Sequence, residues 1–114
     1  MHFSTQHEQE YMGYIAAYST FAASRYPNDS LHAHKAFYYC QICDGRREQY
    51  IVDSFATVIA QRCLGCKYMW INRTRYSKFT EYHMRLVARA WKTAEDAMWV
   101  IEKRDVPRGE RYLQ

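Results

Sequence analysis

The sequence predicts an α+β fold in which a small antiparallel β unit is flanked by an N-terminal helix and a long C-terminal helix. Three observations predict it: apolar residues recur at helical spacing near both ends, short β-branched and aromatic runs fill the middle, and two Cys-x-x-Cys pairs lie within those runs. A chain of 114 residues has the commonest size of one domain. We therefore expect residues 1–114 to form a single domain.

The N-terminal helix is predicted over residues 5–26. Thr5 and Glu8 have the spacing of a capping box, which places the start of the helix near residue 5. An apolar face follows at three- and four-residue steps, formed by Tyr11, Ile15, Tyr18 and Ala22. The Pro-Asn-Asp-Ser run at residues 27–30 is typical of a turn, so the helix is expected to end before it.

The β unit is predicted over residues 35–73. Four short segments have the β-branched and aromatic composition of strands: AFYYC, QYIVD, ATVIAQRC and KYMWI. Asp44-Gly45 and Asp53-Ser54 are the predicted turns between them. Gly45 follows Cys43 closely, and glycine tolerates the left-handed backbone that a metal-binding loop often needs.

The C-terminal helix is predicted over residues 77–104, with Ser77 or Thr80 as its N-cap. No glycine or proline interrupts it before Pro107. One apolar side is formed by Phe79, Tyr82, Leu86, Ala90, Ala94, Ala97 and Ile101. Residues 105–114 are expected to form an extended tail.

The four cysteines predict a metal site. Nineteen residues separate Cys40-x-x-Cys43 from Cys63-x-x-Cys66, which is a zinc-site spacing and leaves room for a hairpin of two strands between the pairs. Four thiolates close a tetrahedral shell, so we expect one structural Zn²⁺ bound by Cys40, Cys43, Cys63 and Cys66. His32 or His34 could replace one cysteine. A redox pair is disfavoured because no βαβ setting is visible, and disulfides are disfavoured because no signal peptide is visible.

The cysteine-containing stretch resembles a zinc ribbon of the kind found in transcript-cleavage elongation factors, other transcription proteins and phage-type primases. The resemblance is carried by the aromatic residues 37–39 before the first pair, by the predicted hairpin, and by Trp70 four residues after Cys66. It covers about a third of the chain and implies a role in transcription or priming. The elongation factors carry two adjacent acids at the hairpin tip, where this chain has Asp53 alone, so the resemblance does not imply transcript cleavage.

Positive charge is concentrated in residues 62–92, although the net charge of the whole chain is only +4. Glu81 is the one acid in this segment, and its cations are Arg62, Lys67, Arg73, Arg75, Lys78, Arg85, Arg89 and Lys92. Aromatic residues alternate with these cations, a combination that suits phosphates and bases. The alternative interpretation is a solvated basic face whose aromatic neighbours belong to the core.

We expect a cytoplasmic protein with no membrane partner, because the N-terminus is polar and acidic and the apolar runs are too short to span a bilayer. We expect no enzyme and no small-molecule substrate, because the sequence shows no paired carboxylates, phosphate loop or nucleophile elbow, and His83 is better explained as a packed or surface histidine.

The expected function is therefore that of a regulatory, transcription-type zinc protein that binds nucleic acid or a protein of a nucleic-acid machine. The alternative is a protein-binding inhibitor or adaptor, such as a virus or plasmid could encode against a larger host enzyme, since tyrosine and arginine dominate the hot spots of protein interfaces.

Overall fold

The fold is described by a computed structural model for residues 5–23, 30–72, 77–94 and 101–104. Over these residues the chain forms two helices and six strands, which confirms the α+β class. In chain order they are α1 (Thr5–Ala16), β1 (Phe21–Ala23), β2 (Leu31–Cys40), β3 (Gly45–Ser54), β4 (Thr57–Cys63), β5 (Met69–Asn72), α2 (Lys78–Ala94) and β6 (Ile101–Arg104). The predicted tail at residues 105–114 lies outside the described residues.

The six strands form one sheet in the order β1-β2-β3-β4-β5-β6. The first five strands pair antiparallel with their neighbours in sequence, and β6 pairs parallel with β5. A parallel neighbour requires a crossover connection, and α2 lies in that connection. The predicted helix over 77–104 is therefore wrong at its end, because residues 101–104 extend the sheet by hydrogen bonding to β5.

The first helix is also shorter than predicted, because it ends at Ala16 rather than at residue 26. Its end is a Schellman motif, in which Tyr18 adopts the left-handed conformation with φ of 55°. The backbone N–H of Tyr18 donates to the carbonyl of Ile15 at 3.2 Å, and that of Ser19 donates to the carbonyl of Tyr14 at 2.8 Å. The left-handed position is usually glycine, so the sequence carried no stop signal there.

The segment after this turn forms a strand that the sequence did not predict. β1 pairs with the beginning of β2, and Phe21 lies opposite Ala33. β2 accordingly begins at Leu31, four residues before the predicted start of the β unit. The remaining predicted strands are confirmed, since each predicted segment overlaps β2, β3, β4 or β5.

One face of the sheet packs against both helices and forms the main core. The sheet contributes large buried side chains from β2 to β5, and the helices contribute the apolar sides of α1 and α2. The fully buried members include Ile15, Leu31, Tyr50, Val52, Ile59, Met69, Val87 and Trp91. Burying each of these side chains contributes about 2 kcal/mol of hydrophobic stabilisation. Ile51, Val58 and Trp70 form a second, smaller cluster on the opposite face.

The β3–β4 hairpin turns two residues later than predicted. Asp53 and Ser54 are 1% and 0% exposed and belong to β3, whereas Phe55 and Ala56 make the turn with φ of 50° and 64°. Left-handed backbone at both central positions is the hairpin turn that matches strand twist, although Asn-Gly is its usual sequence. The Ser54 hydroxyl hydrogen-bonds the ring of His83 at 2.6 Å, which holds Ser54 inside the core.

The second helix begins as predicted. Ser77 precedes its first residue, and the Ser77 Oγ accepts a hydrogen bond from the backbone N–H of Thr80 at 3.2 Å, as an N-cap does. Its first turns lie against the end of β3, because the Ser54 hydroxyl contacts both Thr80 and His83.

His83 makes the stability of the fold depend on pH. Its ring is fully buried, stacks on Phe55, and has a pKa lowered by burial from 6.5 to about 4. A lowered pKa in the folded state means that the stabilisation is complete above about pH 6.5 and is lost as the pH falls through 4.

We predict that between pH 6.5 and 4 the free energy of unfolding falls by about 3 kcal/mol more in the wild-type protein than in His83→Gln. Urea titrations of both proteins across this pH range, at equal metal content, measure the difference. Parallel pH profiles for the two proteins would show that His83 is not buried in its neutral form.

Candidate metal centre

Two turns that are distant in sequence meet at one end of the sheet, here called the metal end. Cys40 is the last residue of β2 and Gly45 is the first of β3, so the first cysteine pair spans the β2–β3 turn. Cys63 is the last residue of β4 and lies opposite Gln49 near the start of β3. The backbone N–H of Leu64 donates to the carbonyl of Glu48 at 2.9 Å and fixes the second turn beside the first.

The four sulfur atoms form a cluster with the dimensions of a tetrahedral metal site. All four Sγ atoms lie within 4.8 Å of one another. The Cys40 and Cys66 sulfurs are 3.6 Å apart, and the Cys43 and Cys63 sulfurs are 3.9 Å apart. A tetrahedron with zinc–sulfur bonds of about 2.3 Å has edges of about 3.8 Å. The residues therefore fit one metal ion of zinc type, held by sulfur from both turns.

The other interpretations of the cysteines fit less well. All four thiols are free, and separations of 3.6 Å and above are far longer than the roughly 2.05 Å of a disulfide. His34 lies six residues before Cys40 on the same extended strand, about 20 Å away. His32 lies still farther from Cys40 on the same strand. Neither histidine can therefore replace a cysteine in the cluster.

The two turns have the same local geometry. The residue after the second cysteine of each pair is left-handed, with φ of 52° at Asp44 and 68° at Lys67. The sequence analysis assigned this conformation to Gly45, but the preceding residue adopts it. In the second turn the backbone N–H of Cys66 donates to the Cys63 sulfur at 3.5 Å, a hydrogen bond that favours the thiolate.

The thiols differ in how readily they lose a proton. Burial raises the pKa of Cys43 to about 12, and hydrogen bonds with the other thiols add to the rise. Burial also acts to raise the pKa of Cys63, but backbone N–H donors at Cys66 and Gly65 and the neighbouring thiols outweigh it and lower that pKa to about 7. Cys63 thus offers a thiolate near neutral pH, whereas a bound cation must displace the proton of Cys43.

Arg47 links the two turns from outside the cluster. A Cβ atom added at Gly45 would lie 2.9 Å from the Arg47 Nη1, and one added at Gly65 would lie 2.9 Å from the Arg47 Cδ. The long side chain therefore lies across both glycines, and its Nη1 donates to the carbonyl of Arg46 at 2.9 Å. This places a positive charge beside both cysteine turns. No sequence pattern indicated this role for Arg47.

The predicted basic residues fall into three groups. Lys67, Lys78, Arg85, Arg89 and Lys92 are exposed, and Arg73 and Arg75 lie outside the described residues. The prediction that Arg62 belongs to a basic binding surface is wrong. Arg62 is only 6% exposed, and its guanidinium lies 4.3 Å from the centre of the Tyr18 ring. Its position on β4 points it to the helix-covered face, opposite Met69 and Tyr50. Arg62 therefore belongs to the core and not to a binding surface.

The Ser54–His83 pair is the one arrangement in the described part of the chain that resembles a nucleophile and its base. Both residues are 0% exposed, and Phe55 covers the imidazole ring. A substrate cannot reach this pair, so its hydrogen bond serves to attach α2 to the β3–β4 hairpin.

Comparisons with protein families, with curated proteins and with solved structures found no match to this chain. Among the described helices, neither is long and apolar enough to cross a membrane.

We predict that the purified protein carries one equivalent of zinc, and that removing it with a strong chelator destabilises the sheet at the metal end. Formation of a structural zinc site and folding share one free energy, which is of the order of 10 kcal/mol for small zinc domains. Elemental analysis measures the metal, and amide hydrogen exchange measures protection of β2, β3 and β4 before and after chelation.

The matched variants are Cys63→Ser, which removes a buried ligand, and Ser54→Ala, which leaves the cluster intact. Cys63→Ser should lose the metal together with protection of these strands, and Ser54→Ala should keep one equivalent. A protein that contains no stoichiometric metal and is equally protected after chelation would contradict a structural metal centre.

Proposed function

We propose that this chain is a non-enzymatic, zinc-stabilised protein of the zinc-ribbon type that binds nucleic acid and regulates a nucleic-acid machine. One Zn²⁺ bound by Cys40, Cys43, Cys63 and Cys66 has a structural role, because four thiolates leave no open coordination position for a substrate. The observation that carries the nucleic-acid part of the proposal is the exposed basic side of α2.

The basic side of α2 is a straight row of four cations, here called the basic stripe: Lys78, Arg85, Arg89 and Lys92. Steps of seven, four and three residues keep all four within a sector of about 60° on a helix of 3.6 residues per turn. At a rise of 1.5 Å per residue the stripe is about 21 Å long. Each member is exposed, while Leu86, Val87, Ala90 and Trp91 bury the opposite side of the helix.

The stripe retains most of its charge for a partner. The Arg89 guanidinium donates to the Glu8 carboxylate at 2.9 Å, an ion pair that also ties α1 to α2. Among the described residues, Lys78, Arg85 and Lys92 make no such ion pair. Three free cations on a rigid helix suit the regularly spaced phosphates of a nucleic acid, because each phosphate contact releases condensed counterions.

The test is the salt dependence of binding to a fluorescent oligothymidylate. We predict that the wild-type protein binds at about 50 mM salt and that affinity falls steeply with added salt. Arg85→Glu combined with Lys92→Glu removes two phosphate contacts, so the slope of log affinity against log salt should fall by at least about 1.4. Fluorescence anisotropy measures both quantities.

Arg85→Lys combined with Lys92→Arg preserves both charges and is the matched control, so its slope should stay that of the wild type. Arg89 is a poorer site for this test, because a glutamate there would face Glu8 and disturb the contact between the helices. Absence of binding by the wild-type protein at low salt would refute the proposed function and would favour a protein partner.

A further inference from the structure

An aromatic surface is exposed where β2 runs beyond the cover of the helices. Alternate residues of β2 share the helix-covered face of the sheet. Leu31 and Ala33 are 0% and 3% exposed on this face, but Phe37 and Tyr39, further along the same row, are 59% and 43% exposed. The core therefore ends partway along β2, and two large rings continue its face into solvent.

Charged side chains of both signs border these two rings, because Glu48 lies directly opposite Phe37 on β3 and the Asp44 carboxylate accepts a hydrogen bond from Tyr39. Lys35 precedes them in the same row of β2 and is exposed, and Arg46 lies directly opposite Tyr39 on β3. The Arg46 Nη2 donates to the carbonyl of Phe37 at 3.3 Å, which holds the guanidinium beside the rings. We call the surface formed by Lys35, Phe37, Tyr39 and Arg46 the aromatic face. Ile42, in the β2–β3 turn between Cys40 and Cys43, is 60% exposed.

The rings are supported on a rigid part of the molecule. Lys35, Phe37 and Tyr39 all lie in a regular antiparallel ladder with β3. The Tyr39 hydroxyl donates to the carboxylate of Asp44, so its ring is held at both ends. Phe37 and Tyr39 are two residues apart and therefore present their rings about 7 Å from one another on one face. Such a surface is pre-organised and loses little entropy when it binds a partner.

The basic stripe runs toward the metal end of the sheet. The beginning of α2 lies at the hairpin end of the sheet, because Ser54 contacts Thr80 and His83 there. Its last turns lie toward the metal end, because the Tyr18 ring contacts both Trp91, at 6.5 Å between ring centres, and Arg62, which precedes Cys63. A strand that follows the stripe toward its C-terminal end is thus directed to the metal end, on the same side of the sheet as the exposed rings.

The chemistry of this end favours a partner that is both anionic and able to stack. The exposed cations at the metal end are Arg46, Arg47 and Lys67, while Lys35 lies in the middle of β2, and the nearby carboxylates are Asp44 and Glu48. The centres of protein interfaces are enriched in aromatic residues and arginine but depleted in lysine, whereas single-stranded nucleic acid is bound by aromatic rings together with cations of both kinds. In a duplex the bases already stack on one another, so their faces cannot reach these rings.

We propose that the aromatic face is a stacking platform for the bases of single-stranded nucleic acid, with Phe37 and Tyr39 each contacting one base and Lys35 and Arg46 contacting phosphates. This inference rests on the proposed function and adds to it a preference for unpaired strands. It also assigns binding to β2 and β3, which lie outside the basic segment that the sequence indicated.

Phe37→Ala combined with Tyr39→Ala tests the platform, because both side chains are exposed and their loss should spare the fold and the metal content. Loss of base stacking should weaken binding to oligothymidylate at least about fivefold per ring, while the salt slope stays unchanged. The wild-type preference for a single strand over a duplex of equal length should also disappear. Phe37→Tyr combined with Tyr39→Phe keeps both rings and should bind like the wild type.

Running the titrations with both oligothymidylate and oligouridylate distinguishes DNA from RNA, and a ring-dependent loss with either one supports the platform. If the alanine variant binds as tightly as the wild type while the Arg85→Glu, Lys92→Glu variant is weakened, the platform is refuted and the proposed function stands. If the wild-type protein binds no nucleic acid, both the platform and the proposed function are refuted. If light scattering shows instead that the alanine substitutions dissociate a dimer and leave binding unchanged, the aromatic face is an interface between two copies, and the platform is again refuted.

Discussion

The convergence of four sulfur atoms at the metal end is the constraint on which the rest of the structure depends. Cys40 and Cys66 are twenty-six residues apart in sequence, yet their sulfurs are 3.6 Å apart. The ladder between β3 and β4 brings the two turns together, and a metal ion would lock that ladder in register. The helix-covered core ends partway along β2, so β2 and the start of β3 have little apolar cover near the cysteines. A metal bound by both turns would supply there the stability that burial supplies elsewhere.

Burial also decides which of the many cations can meet a partner. Arg62 and Lys67 are five residues apart, but Arg62 is buried against Tyr18 whereas Lys67, directly after Cys66, is exposed. The difference follows from strand alternation, because Arg62 shares the helix-covered face with Ala60 and Met69. A cation in this position is tolerated because the aromatic ring and the carbonyl of Cys63 surround its guanidinium. Charge density along the sequence is therefore an incomplete guide to which cations are exposed, and among the described cations of the basic segment the fold presents Lys67 and the α2 stripe to solvent.

The sequence was most informative where one local signal had one physical meaning. The cysteine spacing, the β-branched strands and the Ser77 cap all required short-range geometry only, and each is found in the structure. The failures occurred where tertiary contacts overrode local preference. Tyr18 takes a position that usually requires glycine, because its ring packs against Tyr50 and Arg62. The hairpin turn avoids the turn-forming Asp53-Ser54 pair because Ser54 hydrogen-bonds His83, twenty-nine residues away. The parallel pairing of β6 could not be predicted either, because it depends on hydrogen bonds to the edge of β5, which is distant in sequence.

The helix cover ends partway along β2 and the cysteine cluster lies at the end of that strand, which explains why the aromatic residues of β2 need not be buried. Under the helix cover, exposing a ring such as that of Tyr50 would cost about 2 kcal/mol or more of hydrophobic stabilisation. Near the cysteines, thiolate–metal bonds would hold the turns together, so Phe37 and Tyr39 can face solvent with little cost to the fold. Rings exposed on a regular strand and flanked by lysine and arginine are then available for recognition. A metal ion that took the place of a core at this end would thus also leave its surface free for binding.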